Sequence, residues 1–289
     1  MNANLITILS EIALSLHPIL IKNVNTTLPT QLFARISIYS ILAAAFAGPK
    51  DWTASWGSSN IVNSLLFGIM NLIHIGSSYI SYQNLPAGTA LAIFYIYPFF
   101  NILAGVLFLG ESISLKIIPL MILAFVGVLL ISKYTKNESV TDDTNKTPIQ
   151  YNILLGISAA LISAITETFI FLIAKTGSEP TPWLPILRLY PGALLALLGS
   201  FAINKTHIDT RISTWIPLAL FNIFIGFIGY SLRFFSIPRL STEVFSILTF
   251  IGVSSGYFWG LLFANEVPSI GAILGALCIT GSVGILRIL

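Results

Sequence analysis

Residues 82–114 read YQNLPAGTALAIFYIYPFFNILAGVLFLGESIS, and this stretch decides the fold. Pro86 and Gly88 open it, Tyr95-Ile96-Tyr97-Pro98 lies in its middle, and Gly110-Glu111 closes it. Its apolar part is long enough to cross a bilayer, for which about 20 helical residues suffice. A second copy, RLSTEVFSILTFIGVSSGYFWGLLFANEVPS, follows at an offset of 155, where Leu85 falls on Leu240, Gly105 on Gly260, Phe108 on Phe263 and Glu111 on Glu266. Apolar helices resemble one another by composition, so the repeat needs residues that composition does not supply. Upstream, Lys22, Pro29 and Arg35 precede Lys175, Pro182 and Arg188 by 153 residues each. An Arg inside an apolar helix costs roughly 2.5–3.5 kcal/mol on insertion scales. Two of them with matching neighbours imply two diverged copies of one five-helix unit.

Working outward, the composition fits that reading. Of 289 residues 55% are hydrophobic and 9% charged, against about 25% charged in ordinary soluble domains. The mean hydropathy of +0.89 indicates an all-α integral membrane protein. A net charge of +3 is too small and dispersed for a nucleic-acid partner. Cys278 is the single cysteine, which excludes disulfides and thiolate metal sites within the chain. No cofactor is implied. The N-terminus lacks a basic region and Glu11 interrupts the first apolar run, so that run is expected to be a retained helix rather than a cleaved signal.

Ten spans are expected, at about 4–23, 29–48, 59–83, 86–109, 114–133, 151–175, 181–203, 212–236, 241–264 and 268–288. Residues 1–133 form the first repeat, 134–150 a polar linker and 151–289 the second repeat. Five is odd, so the second copy enters from the opposite side: an inverted repeat of the kind that builds alternately accessible mouths. Lys and Arg divide evenly between the two sets of loops, and the positive-inside rule gives no orientation. Asn-x-Ser/Thr triplets at Asn25, Asn137, Asn145 and Asn204 all fall in odd-numbered loops, the longer ones.

Pro then Arg opening helices 2 and 7, Glu closing helices 4 and 9, and the wording Leu85-Pro86-Ala87, Tyr97-Pro98 and Leu109-Gly110-Glu111 resemble the drug/metabolite transporter superfamily, nearest to its EamA-type permeases. The second repeat departs from the pattern, with Asn265-Glu266 for Gly-Glu and Val253 where Pro98 was. The resemblance implies carriage of a small organic metabolite, an amino acid or similar, and a peripheral role for helices 5 and 10. A multi-pass protein of the plasma (inner) membrane is expected, with the lipid bilayer and a small solute as partners. Gly271 and Gly275 leave open a homodimer through helix 10 or contact within the bundle.

The intramembrane polar residues are the candidate solute site. Glu11 and Glu167 lie near the middles of helices 1 and 6, where a carboxylate faces either a cavity or a partner such as Arg35 or Arg188. Asn71 and His74 share one side of helix 3 with Ser64 and Ser78. Opposite them the repeat puts Gly226, Gly229 and Arg233, with Asn222 one turn earlier. Those glycines read as room for a solute or as a packing face. Tyr95 and other aromatics, among them Tyr79, Tyr230 and Trp259, could stack a solute or sit at interfaces. Arg35, Arg188, Glu111 and Glu266 are expected to be structural, the two acids as helix caps. A channel is the first alternative. The remote one is an intramembrane serine hydrolase, from Gly-x-Ser-x-Gly at 252–256 with His74 as base. That motif needs a strand-turn-helix setting, and here it lies mid-helix, so no catalytic residue is assigned.

Overall fold

The computed structural model describes residues 2–85, 87–135, 152–176, 181–204, 206–263 and 269–286. Glu266 and residues 136–150 of the expected linker lie outside the described residues, whereas Tyr134 and Thr135 continue the helix before it. The described residues are helical and contain no strand. In lipid every backbone N–H and C=O must find a partner within the protein, and a helix satisfies its own.

The first apolar run is two helices, α1 (Ala3–Leu14) and α2 (His17–Asn23), followed by α3 (Leu28–Phe46). A short helix, α4 (Pro49–Trp56), occupies what the sequence reads as a loop. Pro49 at its start and Asp51 accepting from Gly48 N at 2.9 Å explain it. Next come α5 (Ile61–Asn84), α6 (Ala87–Phe94), α7 (Tyr97–Leu109) and α8 (Ile118–Thr135). The latter begins four residues later than expected, where Pro119 can occupy its first turn. The second half supplies α9 (Ile153–Lys175), α10 (Trp183–Asn204), α11 (Ile212–Phe221), a π-helical turn at Asn222–Phe227, α12 (Ile228–Ser236), α13 (Thr242–Thr249), α14 (Ile251–Phe263) and α15 (Ile270–Leu286). Among the described residues, eight helical segments are long and apolar enough to cross a membrane, and two shorter apolar helices join them. The chain is an integral, multi-pass membrane protein.

Three runs are broken where side chains must turn inward. Pro18 stands in the first turn of α2 and Pro98 in that of α7, positions where a missing N–H costs nothing. The break between α13 and α14 has no proline; Phe250 N and Val253 N bond three residues back, to Ile247 and Phe250 carbonyls. It falls at Phe250, 155 residues after Tyr95 at the other break. At the end of α7, Gly110 adopts φ +65°, and Glu111 N returns to Gly105 O at 3.1 Å, a left-handed stop that glycine accommodates without strain.

The exterior of the bundle is apolar, with Leu107, Phe108, Leu154 and Ile270 exposed, while Glu11, His74, Glu167 and Arg233 are buried. Helix α5 packs on α9 and α10, α1 on α12 and α14, α6 on α14, α7 on α13, α3 on α10, and α8 on α15. Small residues allow the closest approaches. A Cβ on Gly68 would meet Gly192 C at 2.3 Å, and one on Gly127 would meet Gly275 O at 2.6 Å. The Gly275 face of α15 is thus used within the bundle. Outside the membrane, Asp209 before α11 accepts from Thr26 and Thr214 hydroxyls, each at 3.0 Å, and pairs with Arg211. Arg211 beside it holds the Asp209 carboxyl well below the usual carboxylate range, so this tie between the α2–α3 and α10–α11 connections is ionised at neutral pH.

Candidate solute site

In α1, Thr7, Ser10, Glu11 and Leu14 are buried, the three- and four-residue spacing of one helix face. In α9 the same spacing buries Ala160, Ser163, Ala164, Glu167 and Phe171. Each face therefore carries one carboxylate into the bundle. Burying an unpaired carboxylate is prohibitive, and both find the same cation. Arg233 of α12 donates through Nη1 to Glu11 Oε1 at 2.6 Å and through Nη2 to Glu167 Oε1 at 2.5 Å. It also donates to Tyr97 Oη at 3.1 Å and stands over the Tyr97 and Phe245 rings. Tyr95 Oη donates to the other Glu11 oxygen at 2.7 Å.

His74 completes this group. Its Nδ1 lies 3.1 Å from the Ser163 carbonyl and 3.3 Å from the Ser163 and Thr166 hydroxyls, partners that suit it as donor or as acceptor. Its Nε2 stands 3.2 Å from Glu167 Oε2, which has no aligned hydrogen bond. A bare imidazole nitrogen and a bare carboxylate oxygen repel at that separation. A proton belongs between them, on one or the other.

A second polar group lies beside the first. Arg35 of α3 is 3% exposed and donates through Nη2 to Tyr190 Oη at 3.3 Å. Its guanidinium sits 5.5, 5.6 and 4.9 Å from the ring centroids of Tyr39, Tyr79 and Tyr230. Between the two groups is a cavity of about 30 Å³, lined by His17, Arg35, His74, Tyr95, Tyr230 and Arg233 among others. That volume holds roughly two waters, not a metabolite.

Of the six residues expected at the solute site, Glu11, His74, Tyr95 and Glu167 are brought together. Asn71 instead donates to the Leu189 carbonyl at 3.3 Å, tying α5 to α10. Asn222 opens the π-helical turn and donates to Leu218 O at 2.8 Å. Gly226 and Gly229 do not face Asn71 or His74; Cβ atoms there would strike Tyr39 Oη at 2.0 Å and Leu14 at 2.9 Å. They are packing positions: the π-helical turn seats Gly226 against α3, and α12 seats Gly229 against α1.

The Arg expectations change as well. Neither Arg35 nor Arg188 pairs with the buried acids; Arg188 donates to the Ala54 carbonyl at 3.4 Å and holds α4. Arg233 does the pairing; sequence reasoning put it opposite Asn71 and His74 but did not make it the partner of the two acids. The available signal was charge balance: two intramembrane acids demand a cation, and Arg233 is flanked by Leu232 and Phe234. Glu111 caps a helix from the other half, accepting from Thr242 N at 3.0 Å, with Lys175 Nζ 3.6 Å from its second oxygen. Ser254 of the Gly-x-Ser-x-Gly motif lies in α14 and donates to Ala276 O at 3.4 Å, while both nitrogens of His74 are directed at α9. Trp259 donates to Ile12 O at 3.0 Å, an anchor rather than a stacking surface.

Comparison with known proteins agrees with this architecture. Residues 1–133 match the EamA-like transporter family. An uncharacterized transporter of Bacillus subtilis, YxxF, is 23% identical over 262 residues, covering 88% of this chain and 80% of its own. The pseudopaline exporter CntI of Pseudomonas aeruginosa is 22% identical over 284 residues, covering 95% of this chain and 92% of its own. A solved crystal structure superposes with a TM-score of 0.71 over 99% of this chain and 97% of that one at 14% identity, a likeness of fold. The chain is thus similar to EamA-like transporters over residues 1–133 and to two proteins named as transporters over most of its length.

Proposed function

We propose that the chain is a secondary transporter moving a small organic metabolite, an amino acid or similar, by alternating access. Residues 1–133 and 151–289 act as inverted five-helix repeats, and Glu11, His74, Tyr95 and Glu167, with Arg233, form the polar centre of the solute site. The observation that carries this reading is the convergence of these buried ionisable side chains beside one small cavity. A carrier passes through an occluded state, whereas a channel needs a continuous polar lumen. The helix pairing supports the repeat. Exchanging the halves turns the α1–α12 contact into α9–α5, α1–α14 into α9–α7 and α1–α13 into α9–α6, and leaves α3–α10 and α8–α15 as they are. A homodimer through α15 would use its outer residues Ile273, Leu274 and Leu277, which are exposed. The plasma (inner) membrane is the proposed location.

Topology is tested by single cysteines replacing Lys50 and Lys205 in a Cys278→Ser background. With inverted repeats the two label from opposite sides of a sealed membrane. Labelling from one side would remove the repeat argument.

One end of the bundle is fastened across the halves. Glu243 Oε2 accepts from Ser114 N at 2.9 Å, Glu111 caps Thr242, and Lys175 Nζ stands 3.6 Å from Glu111 Oε1. Alternating access requires this end to open. Cysteines at Ser114 and Glu243, joined by a short reducible crosslinker, are expected to abolish solute uptake, and reduction to restore it. Normal uptake by the crosslinked protein would rule out opening there.

A further inference from the structure

We propose that Arg35 is the carboxylate-binding group of the solute site, and that the transported solute therefore carries a carboxylate. This rests on the transport reading above and goes beyond it by assigning a ligand class to a residue that sequence reasoning made structural.

Charge is the first ground. Arg233 is opposed by two carboxylates, whereas among the described residues no carboxylate pairs with Arg35. A guanidinium withdrawn from water is stable when an anion accompanies it. Tyrosine rings and the Tyr190 hydroxyl answer only part of that need, because cation–π attraction and a neutral acceptor are weaker than an ion pair. The second ground is geometry. Aromatic rings surround the guanidinium, while Nε, fully buried, has no hydrogen-bond partner. An edge bearing a free N–H is what a planar carboxylate engages. Two further buried atoms nearby are also unpartnered: Tyr39 Oη and His17 Nε2. A Cβ built on Gly226 would lie 2.0 Å from the first and 3.5 Å from the second, and Arg35 stands over the Tyr39 ring.

Position is the third ground. Arg35 lines the small cavity together with His74, Tyr95 and Arg233. A carboxylate seated on Arg35 leaves the rest of the solute directed at the acids of α1 and α9. A phosphate brings a second negative charge and tetrahedral geometry, for which a single guanidinium in a ring of phenols offers too few donors.

The test uses the purified full-length protein in chloride-free buffer. Its melting temperature is measured with each of the twenty L-amino acids and, separately, with their C-terminal amides, in wild type, Arg35→Gln and Arg35→Lys. At least one amino acid should stabilise the wild type by mass action, and its amide should bind about ten- to a hundredfold more weakly, the value of a charge-assisted hydrogen bond. Arg35→Gln should lose the effect, and Arg35→Lys, which keeps charge without the fork, should retain it at reduced affinity. Should Arg35→Gln not fold, the acid–amide comparison in wild type and the Lys variant decide. Equal binding of acid and amide, or undiminished binding by Arg35→Gln, overturns the assignment and leaves the transport reading standing. Stabilisation by neither acids nor amides overturns both.

Discussion

Replacing Arg233 by Gln is expected to destabilise the protein by about 3–5 kcal/mol, the cost of removing one partner of a buried ion pair. The reason is that Arg233 serves two acids at once. Its Nη1 and Nη2 meet Glu11 and Glu167 at 2.6 and 2.5 Å, and all three side chains are at most 4% exposed. Without it, the buried carboxylates of α1 and α9 are left with no cation between them. The check is the melting temperature and folded yield in detergent, beside Arg239→Gln as a control. Arg239 is exposed at the end of the same helical run, and changes at such surface positions stay within about 0.5 kcal/mol. The triple variant Arg233→Gln, Glu11→Gln, Glu167→Gln should recover much of the loss, because it removes the charges together. Melting of Arg233→Gln that matches the wild type would show that the ion pairs do not hold α1, α9 and α12 together.

Glu167→Gln is expected to uncouple solute movement from a proton gradient while leaving solute exchange intact. The two acids are not equivalent. Both oxygens of Glu11 are engaged, one by Arg233 and one by Tyr95. Glu167 gives one oxygen to Arg233 and turns the other to His74 Nε2 at 3.2 Å, where a proton must reside. The groups facing that proton are Arg233 from α12, His74 from α5 and Tyr97 from α7, with Glu11 beyond Arg233. A solute ammonium entering here competes with the proton for the same carboxylate, which is how one acid links the two fluxes. A one-unit pH gradient is worth about 1.4 kcal/mol per proton, a tenfold solute ratio. In proteoliposomes with an imposed gradient, wild type should accumulate solute toward that ratio and Glu167→Gln should only equilibrate it. Full pH-driven accumulation by Glu11→Gln, Glu167→Gln and the double variant would sink proton coupling at these acids.

Much of the framework was legible in the residue order. Apolar runs of spanning length leave the backbone one solution in lipid, so the helices and their approximate limits follow from composition alone. Glu11, His74 and Glu167 announce themselves by the cost of their depth, and Tyr95 joins them at the helix break beside Pro98. Other features depended on local chemistry that periodicity does not report. The α4 helix is set by Pro49 and Asp51, and the break at Phe250 arises without a proline.

What the sequence determined by itself is therefore the solvent, the spans and the depth of each polar side chain. Depth is a coordinate along one helix, fixed by a rise of about 1.5 Å per residue. Which cation meets which acid depends on the rotation of each helix and on its neighbours, and only the tertiary structure decided that. Symmetry between Arg35 and Arg188 suggested equal roles, yet one lies in a tyrosine cage and the other holds a carbonyl of α4. Arg233 read as a residue opposite Asn71 and His74, yet its side chain lies between Glu11 and Glu167. Long cationic side chains reach several ångströms from their Cα, so their partners are chosen by packing rather than by position in the chain.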